Sequence, residues 1–175
     1  MSLRNFWRAF MNEAKIFVDS NIFINMTENN AEFFERSSSL VKDFSNRNEV
    51  GIITPYILNE LHYFFLKKNG QKIAFDLCKD IMNMKRVILV DLELSSSDVV
   101  DILRLAKKYN LKTFDAYHAY FCKKLGIKKI ATFDKDFEKI NYRELTHAVC
   151  CNARFASFMA QIPRTLRSRG ISLAL

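Results

Sequence analysis

KIFVDSNIF, residues 15–23, decides how the rest of the chain is read. A short apolar run, Ile16-Phe17-Val18, stops at one acid, Asp19, and two small polar residues follow, Ser20 and Asn21. Such a run reads as a buried strand, over about 15–19, that carries a carboxylate at its C-terminal end. In open α/β sheets that edge is where ligands bind. Glu60, Asp115 and Asp134 repeat the pattern, each an acid where an apolar element ends or begins. The expectation is that these four acids converge on one metal site.

Working outward, strands and helices alternate. Asn25–Asn30 reads as a turn, and Ala31–Ser45 as a helix with Phe33, Phe34, Leu40, Val41 and Phe44 apolar. Val50–Thr54 is the second strand. Thr54-Pro55 then starts a helix, Thr as the cap and Pro at the first helical position. Ile57, Leu58, Leu61, Phe64 and Phe65 form its apolar stripe, with Glu60 at the edge, and Asn69-Gly70 ends it. Gln71–Met84 is a further helix and Arg86–Val90 the third strand. Ser95-Ser96-Ser97-Asp98 caps a helix running to about Tyr109. Thr113 is expected to cap Phe114–Leu125, with Asp115 in its first turn and Gly126 as its stop. Lys129–Thr132 is the fourth strand. This alternation predicts an α/β fold, a central parallel sheet flanked by helices on both faces.

The composition agrees. The chain has 175 residues, 49% apolar, with 16 Phe but only 4 Gly and 2 Pro. That suits one domain with long helices and argues against disorder or a turn-rich all-β fold. The net charge of +8 is uneven. Residues 13–144 hold all 19 acids and 21 of the 27 basic residues, whereas 145–175 hold Arg154, Arg164, Arg167 and Arg169 and no acid. Excess basic charge attracts polyanions or simply keeps a protein soluble. The division expected is a peripheral segment over 1–14, a domain over 15–146 and a basic extension over 147–175. The four cysteines, at 78, 122, 150 and 151, include no Cys-x-x-Cys pair, and the neighbours Cys150 and Cys151 are poor disulfide partners. A reduced, cytoplasmic protein is expected. No run of about 18 apolar residues predicts a membrane span.

Several carboxylates at one sheet edge repel each other unless a cation lies among them. Hard oxygen ligands suit Mg²⁺ or Mn²⁺, and such ions serve phosphodiester hydrolysis. No Cys/His cluster offers a rival catalytic zinc site, no Gly-rich loop cradles a nucleotide, and no Gly-x-Ser-x-Gly elbow occurs. Each acid alone has a plainer reading. Asp19 would cap a following helix, Glu60 would face solvent, Asp115 would sit on a helix dipole, and Asp134 with Asp136 would form a polar turn. His62 and His118 read as packing or satisfied histidines. His147 with Cys150 and Cys151 is weak evidence for a soft metal. Lys123, Lys124, Lys128 and Lys129 would steer RNA or form a solvated face. Asp76 and Asp80 read as solvated. A receiver-like or phosphatase-like domain would place two adjacent acids early, or Asp-x-Asp at the first strand; this chain has Asp19-Ser20-Asn21.

Four separated pieces carry a resemblance: IFVDSNIF with Asp19, TPYILNELHYF with Glu60, TFDAYHAYFCKKLG with Asp115, and IATFDKDF with Asp134 and Asp136. In these, over about 15–142, the chain resembles the PIN-domain nucleases, and within them the VapC-like toxins. The resemblance implies a PIN fold and Mg²⁺- or Mn²⁺-dependent cleavage of RNA, leaving a 5′-phosphate and a 3′-hydroxyl. It implies that Asp19, Glu60, Asp115 and Asp134 bind the metal and carry the catalysis, with Asp136 an additional ligand. Asn21 and Thr132 match polar positions that support the acids. An antitoxin partner and a homodimer are implied as well. The alternatives are an RNA-processing or decay ribonuclease without an antitoxin, and an inactive metal- or RNA-binding module. The leader and the tail fall outside the family pattern.

Overall fold

The structure, a computed structural model, describes residues 14–28, 31–46 and 49–140. The leader, the basic extension with His147, Cys150 and Cys151, and the expected domain end lie outside the described residues.

Four strands form one sheet: β1 (Ala14–Val18), β2 (Glu49–Ile53), β3 (Val87–Leu89) and β4 (Ile130–Ala131). Every pairing is parallel, in the order β3-β2-β1-β4. All five residues of β2 are buried, as are Ile16, Phe17 and Val18 of β1. Successive side chains of a strand point to opposite faces, so both faces are covered, as parallel sheets require. The covering helices are α1 (Ser20–Asn25), α2 (Ala31–Asn46), α3 (Pro55–Asn69), α4 (Gln71–Asn83), α5 (Ser96–Tyr109) and α6 (Thr113–Lys124). A short 3₁₀ helix, Lys135–Lys139, follows β4.

Local chemistry explains most boundaries. Thr54 caps α3, its hydroxyl accepting from the Ile57 amide at 3.5 Å, with Pro55 at the first helical position. Gly70, at φ 84°, separates α3 from α4. Ser95 and Asp98 form a full capping box on α5. Asp98 also accepts from the Tyr120 hydroxyl and lies 2.9 Å from Lys124 Nζ, which fastens α5 to α6. Gly51 lets α2 approach β2: a Cβ there would lie 2.7 Å from the buried Phe44 ring.

Three details depart from expectation. The residue capping α6 is Lys112, not Thr113, and no side chain caps that end. The strands β3 and β4 have 3 and 2 residues, shorter than the apolar runs that contain them. Residues 20–25, directly after the first acid, form the helix α1.

The strand order places the site. The chain passes from β1 to β2 to β3 in one direction, then crosses to the other side of β1 for β4. The order reverses between β1 and β4, the point beyond the strand ends where open α/β sheets bind ligands. Asp19 follows β1 and Thr132 follows β4.

Candidate metal centre

Asp19 is only 6% exposed. It stands at the cap position of α1, yet its carboxylate makes no capping bond. Instead, Oδ2 accepts from Thr132 Oγ1 at 2.6 Å and from Asn21 Nδ2 at 2.7 Å. Ser20 Oγ donates to Oδ1 at 3.3 Å. Thr132 Oγ1 in turn accepts from Asn21 Nδ2 at 3.0 Å and from the Asp134 amide at 3.0 Å. Asn21 Oδ1 accepts from the Phe133 amide at 3.2 Å. Asn21 and Thr132 thus join the ends of β1 and β4 around one carboxylate.

The helices deliver the other groups. Tyr56, in the first turn of α3, stacks on Tyr117 of α6 at 4.8 Å and packs against Phe121 at 5.8 Å. Glu60 lies one turn beyond Tyr56 on the same helix face. Its Oε1 comes within 3.4 Å of His118 Nε2. Ligand atoms of Asp19, Glu60 and His118 all lie within 4.8 Å of one another, and so do those of Asp115, Asp134 and Asp136. The expected single cluster is therefore two adjoining groups, one buried and one at the rim. Asp115 faces both, since its carboxyl feels the charges of Asp134 and of Asp19.

The rim group has its own order. Asp134 Oδ1 accepts from the Asp136 amide at 2.8 Å, capping the 3₁₀ helix. Lys112 Nζ lies 3.6 Å from Asp134 and 3.7 Å from Asp136. Lys139 Nζ donates to Asp136 Oδ1 at 2.5 Å.

Burial, then the charges of Asp134 and Asp19, push the Asp115 carboxyl up to about 6. Burial likewise raises Asp19 above the usual carboxylate range, against the pull of His118 and the Thr132 hydrogen bond. Burial works to raise Glu60 too, but the His118 imidazole and the Ser20 hydroxyl outweigh it and hold the carboxyl low. Asp134, then Asp115 and Asp136, hold the Lys112 ammonium above its usual range.

A hard divalent cation fits this donor set. Asp115 Oδ2 is buried without a hydrogen-bond partner among the described residues, and mutual repulsion disfavours its ionised form. A cation among the acids would supply the missing partner and remove the repulsion.

Sequence reading missed two residues here. His118 is buried beside Phe17, ring centroids 5.3 Å apart, as a packing histidine would be, but it also faces Glu60 at 3.4 Å, and neither ring nitrogen makes a full hydrogen bond among the described residues. Its position three residues after Asp115, on the same side of the helix, is the signal that could have found it. Lys112 could have been found as the residue just before the helix that carries Asp115. The four lysines weighed for RNA steering lie elsewhere. Lys123 and Lys124 close α6, whose first turn holds Asp115, about 12–14 Å away along the helix. Lys129 pairs with Glu49 at 2.6 Å, at the entry edge of the sheet. Asp76 and Asp80 are exposed.

Comparison with known proteins agrees with this geometry. The PIN domain family model matches residues 16–141. Ribonuclease VapC2 of Methanocaldococcus jannaschii is 32% identical over 148 residues, covering 79% of this chain and 97% of its own. VapBC2 from Rickettsia felis, solved bound to a DNA fragment from its promoter, superposes with a TM-score of 0.56 at 14% identity, over 78% of this chain and 98% of that one. VapC20 of Mycobacterium tuberculosis, described as a sarcin-ricin loop cleaving toxin, also gives 0.56, at 16% identity over 70% and 92%. The matched span holds all four strands but for the first two residues of β1, and every acid of both groups, and the chain belongs to the PIN-domain family.

Proposed function

We propose that this protein is a metal-dependent endoribonuclease that hydrolyses RNA phosphodiesters, and that it is the toxin of a toxin–antitoxin pair. One observation carries the catalytic part: two groups of acids at the reversal point of the sheet, with the buried, unpartnered Asp115 oxygen between them. Asp19, Glu60, Asp115 and Asp134 would hold Mg²⁺ or Mn²⁺, with Asp136 an additional ligand. When bound, such a cation supplies an activated water and stabilises the departing oxygen of a phosphodiester. The chain's own residues supply position. Thr132 and Asn21 hold the Asp19 carboxylate in one orientation. Lys112, 74% exposed at the rim, stands where an RNA phosphate would approach.

The pairing with an antitoxin is supported by the relatives: one is named a ribonuclease, one solved structure is titled a toxin, and another is a VapBC assembly. Action in the cytoplasm and homodimer formation belong to the same reading. Exposed Ile73, Phe75 and Met82 of α4 and Val100 and Leu103 of α5 are apolar side chains that protein contacts would cover.

The test is cleavage of a panel of structured and unstructured RNAs with Mg²⁺ or Mn²⁺, against EDTA and against Asp115→Asn. Cleavage by the wild type, its loss in EDTA and its fall to background in a folded Asp115→Asn protein are expected. A fully active Asp115→Asn protein would falsify the assignment. Cleavage confined to a processing intermediate, with no inhibitory partner in the cell, would point to an RNA-processing enzyme instead.

A further inference from the structure

The buried half of the site contains a nitrogen that the ribonuclease reading leaves unused. His118 is 1% exposed, and both its ring nitrogens lack hydrogen-bond partners among the described residues. An imidazole stripped of water, with only a long contact to one carboxylate oxygen in return, is under-satisfied and costly to keep. This one cannot turn away easily, because Phe17 packs against it and the neighbouring Tyr117 is stacked on Tyr56. Its Nε2 faces Glu60 Oε1 at 3.4 Å, with an Asp19 oxygen inside the same 4.8 Å group.

The rim group differs in kind. Its ligand atoms are all oxygen, and Lys112 and Lys139 already bring positive charge to them. Among the described residues the buried half combines two carboxylates and one imidazole, with no lysine or arginine paired to them.

We infer that Asp19, Glu60 and His118 form a mixed nitrogen–oxygen cation site that favours Mn²⁺ over Mg²⁺, beside an all-oxygen site at Asp115, Asp134 and Asp136. Imidazole is a good ligand for first-row transition ions and a poor one for Mg²⁺, which prefers oxygen throughout. The two halves thus differ in the ion each prefers. The inference rests on the metal-dependent reading above and adds a ligand, and a metal preference, to it. The competing role for His118 is a permanently protonated counter-ion of Glu60, which would leave no lone pair for a metal.

Pulsed EPR of the full chain loaded with Mn²⁺ separates the two roles, because a coordinated imidazole nitrogen modulates the manganese echo. The wild type should show this nitrogen coupling. His118→Gln should lose it and bind Mn²⁺ about tenfold more weakly, with Mg²⁺ affinity changed less than about twofold. Should His118→Gln fail to fold, the double variant His62→Gln/His147→Gln decides, since the chain has three histidines. Coupling retained there assigns it to His118; coupling lost there overturns the inference. Absence of coupling in the wild type also overturns it and makes His118 a counter-ion. RNA cleavage without nitrogen coupling would leave the ribonuclease standing and this site refuted. Nitrogen coupling without RNA cleavage would do the reverse.

Discussion

The two halves of the site are held by different means. Around Asp19 the protein uses hydrogen bonds: Thr132, Asn21 and Ser20 all donate to one buried carboxylate, and Thr132 and Asn21 also tie β1 to β4. Around Asp134 and Asp136 a backbone amide still holds one carboxylate, but the charge is balanced by lysines that are 74% and 49% exposed. Buried hydrogen bonds fix geometry, because breaking them leaves donors and acceptors unpaired. Exposed ion pairs fix little and are readily exchanged for solvent or another cation. The comparison teaches that one carboxylate is built as a fixed post, while the rim can rearrange when metal or phosphate arrives.

Removing a strap should have the largest effect on this contrast. Thr132→Val keeps the shape but takes away the donor to Asp19 and the acceptor for Asn21 and the Asp134 amide. Cleavage should fall about 10–100-fold, as for lost supports of metal ligands, and stability by about 1–3 kcal/mol. Steady-state kinetics and thermal melts check both, and an unchanged kcat/KM would show that the straps do not position the acid.

Next comes pH. The raised Asp115 carboxyl means that the folded, metal-free protein holds a proton there that the unfolded chain releases. Its contribution is fully present below the ordinary value of 3.8 and is lost as pH rises through about 6. The wild type should therefore lose Tm relative to Asp115→Asn across that window, and saturating Mg²⁺, which the wild type binds more tightly, should reverse the difference. Parallel melting profiles of the two metal-free proteins would refute a repelled Asp115.

The smallest effect is expected at the rim. Lys112→Met removes an exposed competitor for the cation position, so Mg²⁺ affinity should rise by no more than about fivefold, read by calorimetry. A change as large as that of Thr132→Val would erase the distinction between the halves.

Fold and site were legible to different depths. Apolar runs ending in acids marked the strands, because burial on both faces of a parallel sheet leaves them uninterrupted. Thr54-Pro55 and the capping serines marked helix starts by side-chain chemistry alone. The helix at 20–25 was legible only in the plainer reading of Asp19 as a helix cap; Asp19 does hold that position, but its oxygens go to Thr132 and Asn21 rather than to the helix. Thr113 misled as a cap because the helix begins one residue earlier than a hydroxyl there would suggest. Asp19, Asp115 and Asp134 stand at strand and helix ends and Glu60 inside α3, but their division into two groups does not follow from spacing. It requires α3 and α6 to be packed together, as in the Tyr56–Tyr117 stack between residues 61 positions apart, which no local pattern announces.

The bond between Asp19 and Thr132 spans 113 positions of chain. A ribosome that has read the first strand has delivered the central acid but not its support, and Asp134 and Asp136 arrive later still. The growing polypeptide is therefore without a complete centre until nearly the whole domain has been synthesised. A chain that stops before residue 130 is missing β4, the support and two rim acids together, so a prematurely terminated product cannot assemble the centre.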